Sequence, residues 1–406
     1  MRNVIFVLPF FLETTLRFVD GAARLPGVRL SVISQDPAEK LPPVLRSRLA
    51  AYWPVGNGLD AQMILDAVRA LEARLGRVER LIGTLEQLQV PLAEVREKLG
   101  LPGTSVEASR NFRDKARMKS ALRAAGVPCA RHGLAGRAGE ARTLIDELGY
   151  PVVVKPPAGA GATATYRLEG DAALERYLER HPPHPDRPAL FEEFMTGQEH
   201  SFDSVLIDGR MVWDSISRYT PTPLEVLENP WMQWCVHLPR EIDTPEFDDI
   251  RALAGRALEV LGLSNGLAHM EWFRRPDGSA AISEVGARPP GAQFTSLISY
   301  ACEMDFYQAW PRLMIFDEFQ VPERRWSTGA AYLRGQGQGR VRAIDGLDQA
   351  HREIGGMVVE ARLPQIGELQ PAGYEGAGYV MLRHGQSDVV AHGLKRAVEL
   401  IRIRLG

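Results

Sequence analysis

Short, fully apolar runs alternate with amphipathic stretches along the first hundred residues of this 406-residue chain. Asn3–Leu8 is one such run and reads as a buried parallel strand; Val28–Ser34 and Val78–Gly83 repeat it. The 3.6-residue period of Ala61–Leu75 predicts a helix between them, giving βαβ units. Leu92–Leu99 is amphipathic and stops at Gly100, Pro102 and Gly103, which marks a domain boundary nearby. A helix rich in Arg and Lys is expected over Phe112–Ala125, closed by Gly126-Val-Pro128. Another is expected over Ala138–Leu148. Strand patterns follow at Val152–Lys155, Thr163–Leu168, Leu190–Phe194, Glu199–Ile207 and Arg210–Ser217, with a helix at Leu174–Arg180 and a hairpin turn at Asp208-Gly209. Asp248–Leu261 is a long helix. Gly266–Arg274 and Ser279–Val285 form a hairpin around Pro276-Asp277-Gly278, which puts Glu271 and Glu284 on neighbouring strands. The chain closes on a helix over Val390–Arg402.

Length and composition narrow the class. The chain exceeds one ordinary core, so two or three domains are expected. With 45% hydrophobic and 24% charged residues it is globular, and a net charge of −3 gives no electrostatic reason for nucleic acid or an anionic membrane. Three widely spaced cysteines argue against a disulfide framework or zinc site. The apolar start is cut by Pro9 and meets Glu13 rather than a small-residue cleavage site, and no apolar stretch is long enough to span a bilayer. A cytoplasmic enzyme is expected.

The chemistry concentrates in two segments. Val-Val-Val-Lys155-Pro-Pro-Ala-Gly159-Ala-Gly161-Ala-Thr163 joins a cation to small residues whose backbone N–H groups can approach phosphate oxygens. The loose G-x-G-x-x-A pattern would suit a dinucleotide fold only if a helix followed, whereas Thr163–Leu168 is strand-like. A hairpin folding over phosphates is the reading that fits, with an ordinary surface hairpin as its alternative. Met-Glu271-Trp-Phe and Ile-Ser-Glu284-Val-Gly-Ala-Arg288-Pro-Pro-Gly291 supply the second segment. Each glutamate lies in an apolar strand, where an unpaired carboxylate is costly. Mg²⁺ carrying a nucleotide removes that cost; an ion pair with Arg274 or Arg288 is the alternative. Arg288 can clamp a carboxylate or phosphoryl oxygen, or be a plain loop arginine. Lys115 is a second phosphate contact or a solvated helix face. Glu192, Glu193, Phe194 and Glu199 combine acids with an apolar edge suited to adenine and ribose, or form a plain strand ending in a turn. His237, after Trp231, Met232 and Trp234, lines a partly apolar substrate pocket or is a satisfied core histidine.

In this order, the residues resemble the ATP-grasp superfamily, in particular its carboxylate–amine ligases. Gly100-Leu-Pro-Gly-Thr, Asp114-Lys115, Ala125-Gly126-Val-Pro128, Val154-Lys155-Pro, Glu192-Glu193-Phe194, Gly197-Gln-Glu199 and the two glutamates stand in that family's order. The resemblance implies an α/β chain with an ATP-grasp fold. It divides into an N-terminal α/β (pre-ATP-grasp) domain (1–108), an ATP-grasp body (109–320, with a lid at about 150–195) and a C-terminal α+β subdomain (321–406). It implies ATP and Mg²⁺ as cofactors, with Mn²⁺ able to replace Mg²⁺. Lys115 and Lys155 would hold phosphates under a lid at Gly159, Gly161 and Thr163. Glu193 and Phe194 would meet adenine mainly through backbone, and Glu199 the ribose. Glu271 and Glu284 would bind the metal, Arg288 an acyl phosphate, and His237 substrate. The implied partners are small-molecule carboxylate and amine substrates, amino acids among them, and a homodimer is open to the chain. A biotin carboxylase-like carboxylase and a non-catalytic nucleotide-binding regulator remain as other readings. One departure stands out: the family usually has Glu-x-Asn-x-Arg, and here Gly286 replaces the asparagine, leaving Glu284 and water to hold a second metal.

Overall fold

The computed structural model describes residues 1–159, 164–229, 231–371, 373 and 375–406. Strands β1 (Arg2–Val7), β2 (Val28–Ser34), β3 (Ala51–Pro54) and β4 (Arg80–Ile82) form a parallel sheet in the order β3-β2-β1-β4. Its inner side chains (Ile5, Val7, Ile33) pack on the helix Ala61–Leu75, whose buried face is Ile64, Leu65, Val68 and Leu71. Its other face presents Phe6, which meets Trp310 edge-on at 6.2 Å; Phe18 meets Tyr307 and Trp310 at 4.8 and 5.3 Å. These aromatic contacts join the N-terminal layer to the helix Phe306–Phe316.

A small antiparallel sheet follows: β5 (His132–Ala135), β6 (Val152–Lys155), β7 (Tyr166–Leu168) and β8 (Ala189–Glu193), ordered β5-β8-β6-β7. Strands β6 and β7 pair antiparallel, and among the described residues no helix begins between β6 and Asp171. That arrangement excludes the dinucleotide reading. Gly161 and Thr163 lie outside the described residues.

The largest sheet holds β9 (Gln198–Ile207), β10 (Arg210–Thr220), β11 (Trp234–Leu238), β12 (Gly266–Arg274), β13 (Ala280–Gly286) and β14 (Ser327–Leu333). After β15 (Val341–Asp345), β16 (Val358–Arg362) and β17 (Gly378–His384) extend it, and β18 (Arg402–Leu405) pairs with β15. Its order is β13-β12-β9-β10-β11-β14-β17-β16, so strands beyond residue 325 continue the sheet begun by β9. Asp208 and Gly209 both have positive φ (50° and 74°), the geometry of the two-residue turn joining β9 to β10. Alternation along β12 sends Met270 and Trp272 into a core with Phe202 and Leu258, and leaves His269, Glu271 and Phe273 facing a cleft.

The basic helix expected over 112–125 is two helices, Val106–Arg113 and Lys115–Ala124. Asp114 breaks them: its side chain accepts from the N–H groups of Ala116 and Arg117, an N-cap that competes with helix continuation. Among the described residues no helix is long and apolar enough to cross a membrane.

Candidate active site

A cleft of about 510 Å³ opens between the small sheet and the large one. Lys155 ends β6 and Glu192 lies in β8; Glu199, Glu271 and Glu284 come from β9, β12 and β13; Arg288 follows β13. The N-terminal layer contributes Thr14, Thr84 and Glu86, which follow β1 and β4. They sit beyond the carboxyl ends of parallel strands, where open α/β sheets place ligands.

Glu271 and Glu284 stand opposite each other across the β12–β13 pair. A register shift follows at once, Trp272 facing Ile282, so Ser283 is an extra residue beside the two acids. Burial, then the nearby Glu284 charge, pushes the Glu271 carboxyl up. Burial alone would raise Glu284 too, but Lys115 and Lys155 outweigh it and hold it below the usual range. Lys115 Nζ is 2.9 Å from a Glu284 oxygen. Glu199 is pushed well above the usual range by burial, with Glu271 adding to it. Among the described residues no third His, Cys, Asp or Glu completes a metal cage with these two. Two opposed carboxylates fit a hard divalent cation that keeps water or ligand oxygens in its other positions, as Mg²⁺ does.

The lysines are held against acids. Lys155 lies 3.0 Å from Glu192 Oε2. Burial would lower its ammonium, but Glu192, Glu284 and Glu271 together raise it. Lys115 begins its helix; its N–H donates to the carbonyl of Pro157 and its Nζ to that of Gly159, so the segment after Lys155 is docked on this helix start. The Glu193 carboxylate accepts from Arg131, from that residue's backbone N–H (2.9 Å) and its Nε (2.6 Å). The N–H groups of Glu193 and Phe194 donate to the carbonyls of Arg131 and Pro151. An adenine edge would therefore have to meet other main-chain groups of this stretch. The Phe194 ring lies under the Arg167 guanidinium at 4.1 Å.

Arg288 Nε donates to Glu86 Oε2 at 2.6 Å, and Nη1 to the Pro289 carbonyl at 2.8 Å. A Cβ on Gly286 would lie 3.4 Å from that same Glu86 oxygen, so a carboxylate from the N-terminal layer occupies the space beside the bare glycine. His237 is not brought to the cleft. In β11 Trp234, Val236 and Leu238 pack inward, and alternation puts His237 on the opposite face, its Nε2 2.9 Å from Ser327 Oγ. Burial, then Arg218 and Arg324, pushes it down to about 4. Trp234 lines the cleft, whereas Trp231 is exposed.

Sequence reasoning missed Glu86, Lys119 and the His269–Asp203 pair, whose Nδ1 and Oδ1 are 2.7 Å apart. Signals were present: Lys119 stands four residues after Lys115, on the same helix face, and Glu86 sits just past the end of a parallel strand.

Solved structures decide the fold. An L-amino acid ligase from Bacillus licheniformis superposes with a TM-score of 0.80, covering 100% of this chain and 99% of that one at 19% identity. The chain has the ATP-grasp fold. A second ATP-grasp structure, the biotin carboxylase domain of Hydrogenobacter thermophilus 2-oxoglutarate carboxylase in complex with MgADP, ADP and bicarbonate, gives a TM-score of 0.68 at 17% identity, covering 99% and 90%. In sequence, the L-arginine-specific L-amino acid ligase of Bacillus subtilis is 21% identical over 251 residues, 60% of this chain and 59% of that protein. Less than two thirds of the length of the curated relatives first matched is spanned by this chain. No family model matches it.

Proposed function

We propose that the chain is an ATP-dependent carboxylate–amine ligase acting on amino acids through an acyl phosphate, with residues 1–108, 109–320 and 321–406 as its three parts. The observation that carries this reading is the convergence, in one cleft, of Lys115 and Lys155 with the opposed Glu271 and Glu284 and with Arg288. Two cations at a docked hairpin suit a polyphosphate. Bound Mg²⁺ would lower the charge on the phosphates and orient them for in-line transfer. Glu271 and Glu284 would hold that ion.

The ordered pair Glu86–Arg288 favours an α-amino acid substrate. Arg288 offers a guanidinium to a carboxylate, and Glu86, 2.6 Å away, offers an acceptor to an ammonium, the complement of a zwitterion. In the reaction, a carboxylate oxygen attacks the γ-phosphorus and the bond to ADP breaks. The amine nitrogen then attacks the acyl carbon, the C–O bond to phosphate breaks, and the nitrogen gives up a proton. Arg288 and the N–H of Gly291, two residues of the cleft wall, would stabilise the oxyanion. The hairpin beside Lys155 would exclude water that hydrolyses the acyl phosphate.

The test is ADP release from Mg²⁺-ATP across amino acids, singly and in pairs, with a bicarbonate arm and Glu284→Ala as control. Release that needs an amino acid pair and disappears in the variant is the expected result. Stimulation by bicarbonate alone would replace the ligase with a carboxylase, and ATP binding without stimulated turnover would point to a nucleotide-binding regulator.

A further inference from the structure

Lys119 is fully buried, one turn after Lys115 in the helix Lys115–Ala124, and nothing in the proposed reaction uses it. Its Nζ donates to the Ser283 carbonyl at 2.6 Å and lies 3.6 Å from Glu192 Oε1. The other oxygen of Glu192 is the one that Lys155 holds at 3.0 Å. One buried carboxylate is thus shared by two lysines. They differ in freedom: Lys119 is wholly enclosed, whereas the Lys155 side chain is 12% exposed and faces the cleft. Leucine or methionine would fill the volume of Lys119 without the cost of burying an ammonium, so its charge asks for a reason.

The reason lies in what happens when Lys155 reaches for a phosphate. If nothing else balanced it, leaving Glu192 would strand a carboxylate that is only 4% exposed, a buried charge without a partner. Lys155 would then stay with Glu192. With Lys119 fixed beside Oε1, the carboxylate keeps a partner and Lys155 is free to turn. We propose that Lys119 is a positioning residue that releases Lys155 to the nucleotide by retaining the charge of Glu192. This rests on the nucleotide reading given above. The same lysine, through Ser283, also ties its helix to the extra residue beside Glu284.

Calorimetric titration of the full chain with Mg²⁺-ADP tests it in a double-mutant cycle: wild type, Lys119→Met, Glu192→Gln and the pair together. Removing Lys119 alone leaves Lys155 bound to a lone buried carboxylate, so affinity is expected to fall about tenfold or more. Removing Glu192 as well takes away what Lys119 neutralises, so the double variant is expected within about threefold of Glu192→Gln. A merely structural role for Lys119 would lower the melting temperature without this rescue of affinity. Wild-type affinity in Lys119→Met, or a double variant as weak as Lys119→Met, would overturn the inference. Should Lys119→Met not fold, the double variant against Glu192→Gln carries the test, and a loss beyond threefold between them overturns it. Absence of nucleotide binding by the wild type would overturn the nucleotide reading along with the inference, a result separable from binding without coupling.

Discussion

Glu86 reaches the cleft from the N-terminal layer, and its oxygen meets both Arg288 and the open side of Gly286. If it receives a substrate ammonium, Glu86→Gln should raise KM for the amino acid about tenfold, since a charge-assisted hydrogen bond is worth roughly twice a neutral one. KM for ATP should change little. Steady-state kinetics with each substrate varied separately checks this, and equal rises in both constants would refute the role. Gly286 itself is not forced by backbone strain: it lacks a left-handed φ, and an added Cβ would find its nearest neighbour at 3.4 Å. Gly286→Ala should therefore leave the melting temperature nearly unchanged. Gly286→Asn would add an amide oxygen near the paired glutamates and should tighten Mn²⁺ binding in the presence of nucleotide, read by the loss of free-ion signal in electron paramagnetic resonance. Weaker Mn²⁺ binding would show that Glu86 already fills the space the amide needs.

At the scale of elements, Asp114 sets where Lys115 points, because its carboxylate caps the helix that Lys115 begins. Asp114→Ala should cost about 1 kcal/mol of stability and also weaken nucleotide binding, whereas Asp114→Asn should keep the cap. Denaturant melts paired with ADP titration separate the two effects. The strands carry a pH effect of their own. His200 in β9 stacks on Trp272 at 4.5 Å, and burial followed by Arg218 pushes it down to about 4. Between about 6.5 and 4 the unfolded chain binds a proton there that the folded chain refuses, so stability falls as pH falls through that window, by up to about 3 kcal/mol for this group. His200→Gln should flatten that part of the stability profile even where it lowers the melting temperature overall. Elements with a clean period were legible from the sequence: Val28–Ser34, Ala61–Leu75, Ala138–Leu148, Asp248–Leu261 and Gly266–Arg274 have the bounds their patterns predict. The break at Asp114 was not, since one basic amphipathic pattern runs through it and only the cap interrupts the backbone. Ala51–Pro54, none of it fully buried, was not read as a strand. The facing of Glu271 and Glu284 could be read from a hairpin turn, whereas Glu86–Arg288 and Lys119–Ser283 join residues 202 and 164 positions apart, which local periodicity does not report.

Across the whole molecule, the cleft is where three layers meet, and its two lysines are already paired with carboxylates there. Lys115 lies against Glu284 and Lys155 against Glu192, so a metal ion arriving alone must displace an ammonium from Glu284, and a nucleotide arriving alone must draw both lysines from their carboxylates. On the proposed function, arriving together each would remove the cost of the other: Glu284 would exchange Lys115 for the ion, and Lys115 would be free to meet phosphate. Such coupling would be reciprocal: Mg²⁺ would raise nucleotide affinity by the same factor by which nucleotide raised Mg²⁺ affinity. In thermal melts, Mg²⁺ alone and ADP alone should each shift the midpoint less than half as far as Mg²⁺-ADP, because stabilisation grows with the logarithm of ligand concentration over its dissociation constant. Lys115→Met removes the competing ammonium. It should bind Mn²⁺ without nucleotide about tenfold more tightly than the wild type while binding ADP more weakly, the opposite signs being what a shared ion pair requires. Losses in both would mean that Lys115 only supports the fold of the cleft, and unchanged Mn²⁺ binding would mean that Glu284 does not hold the ion.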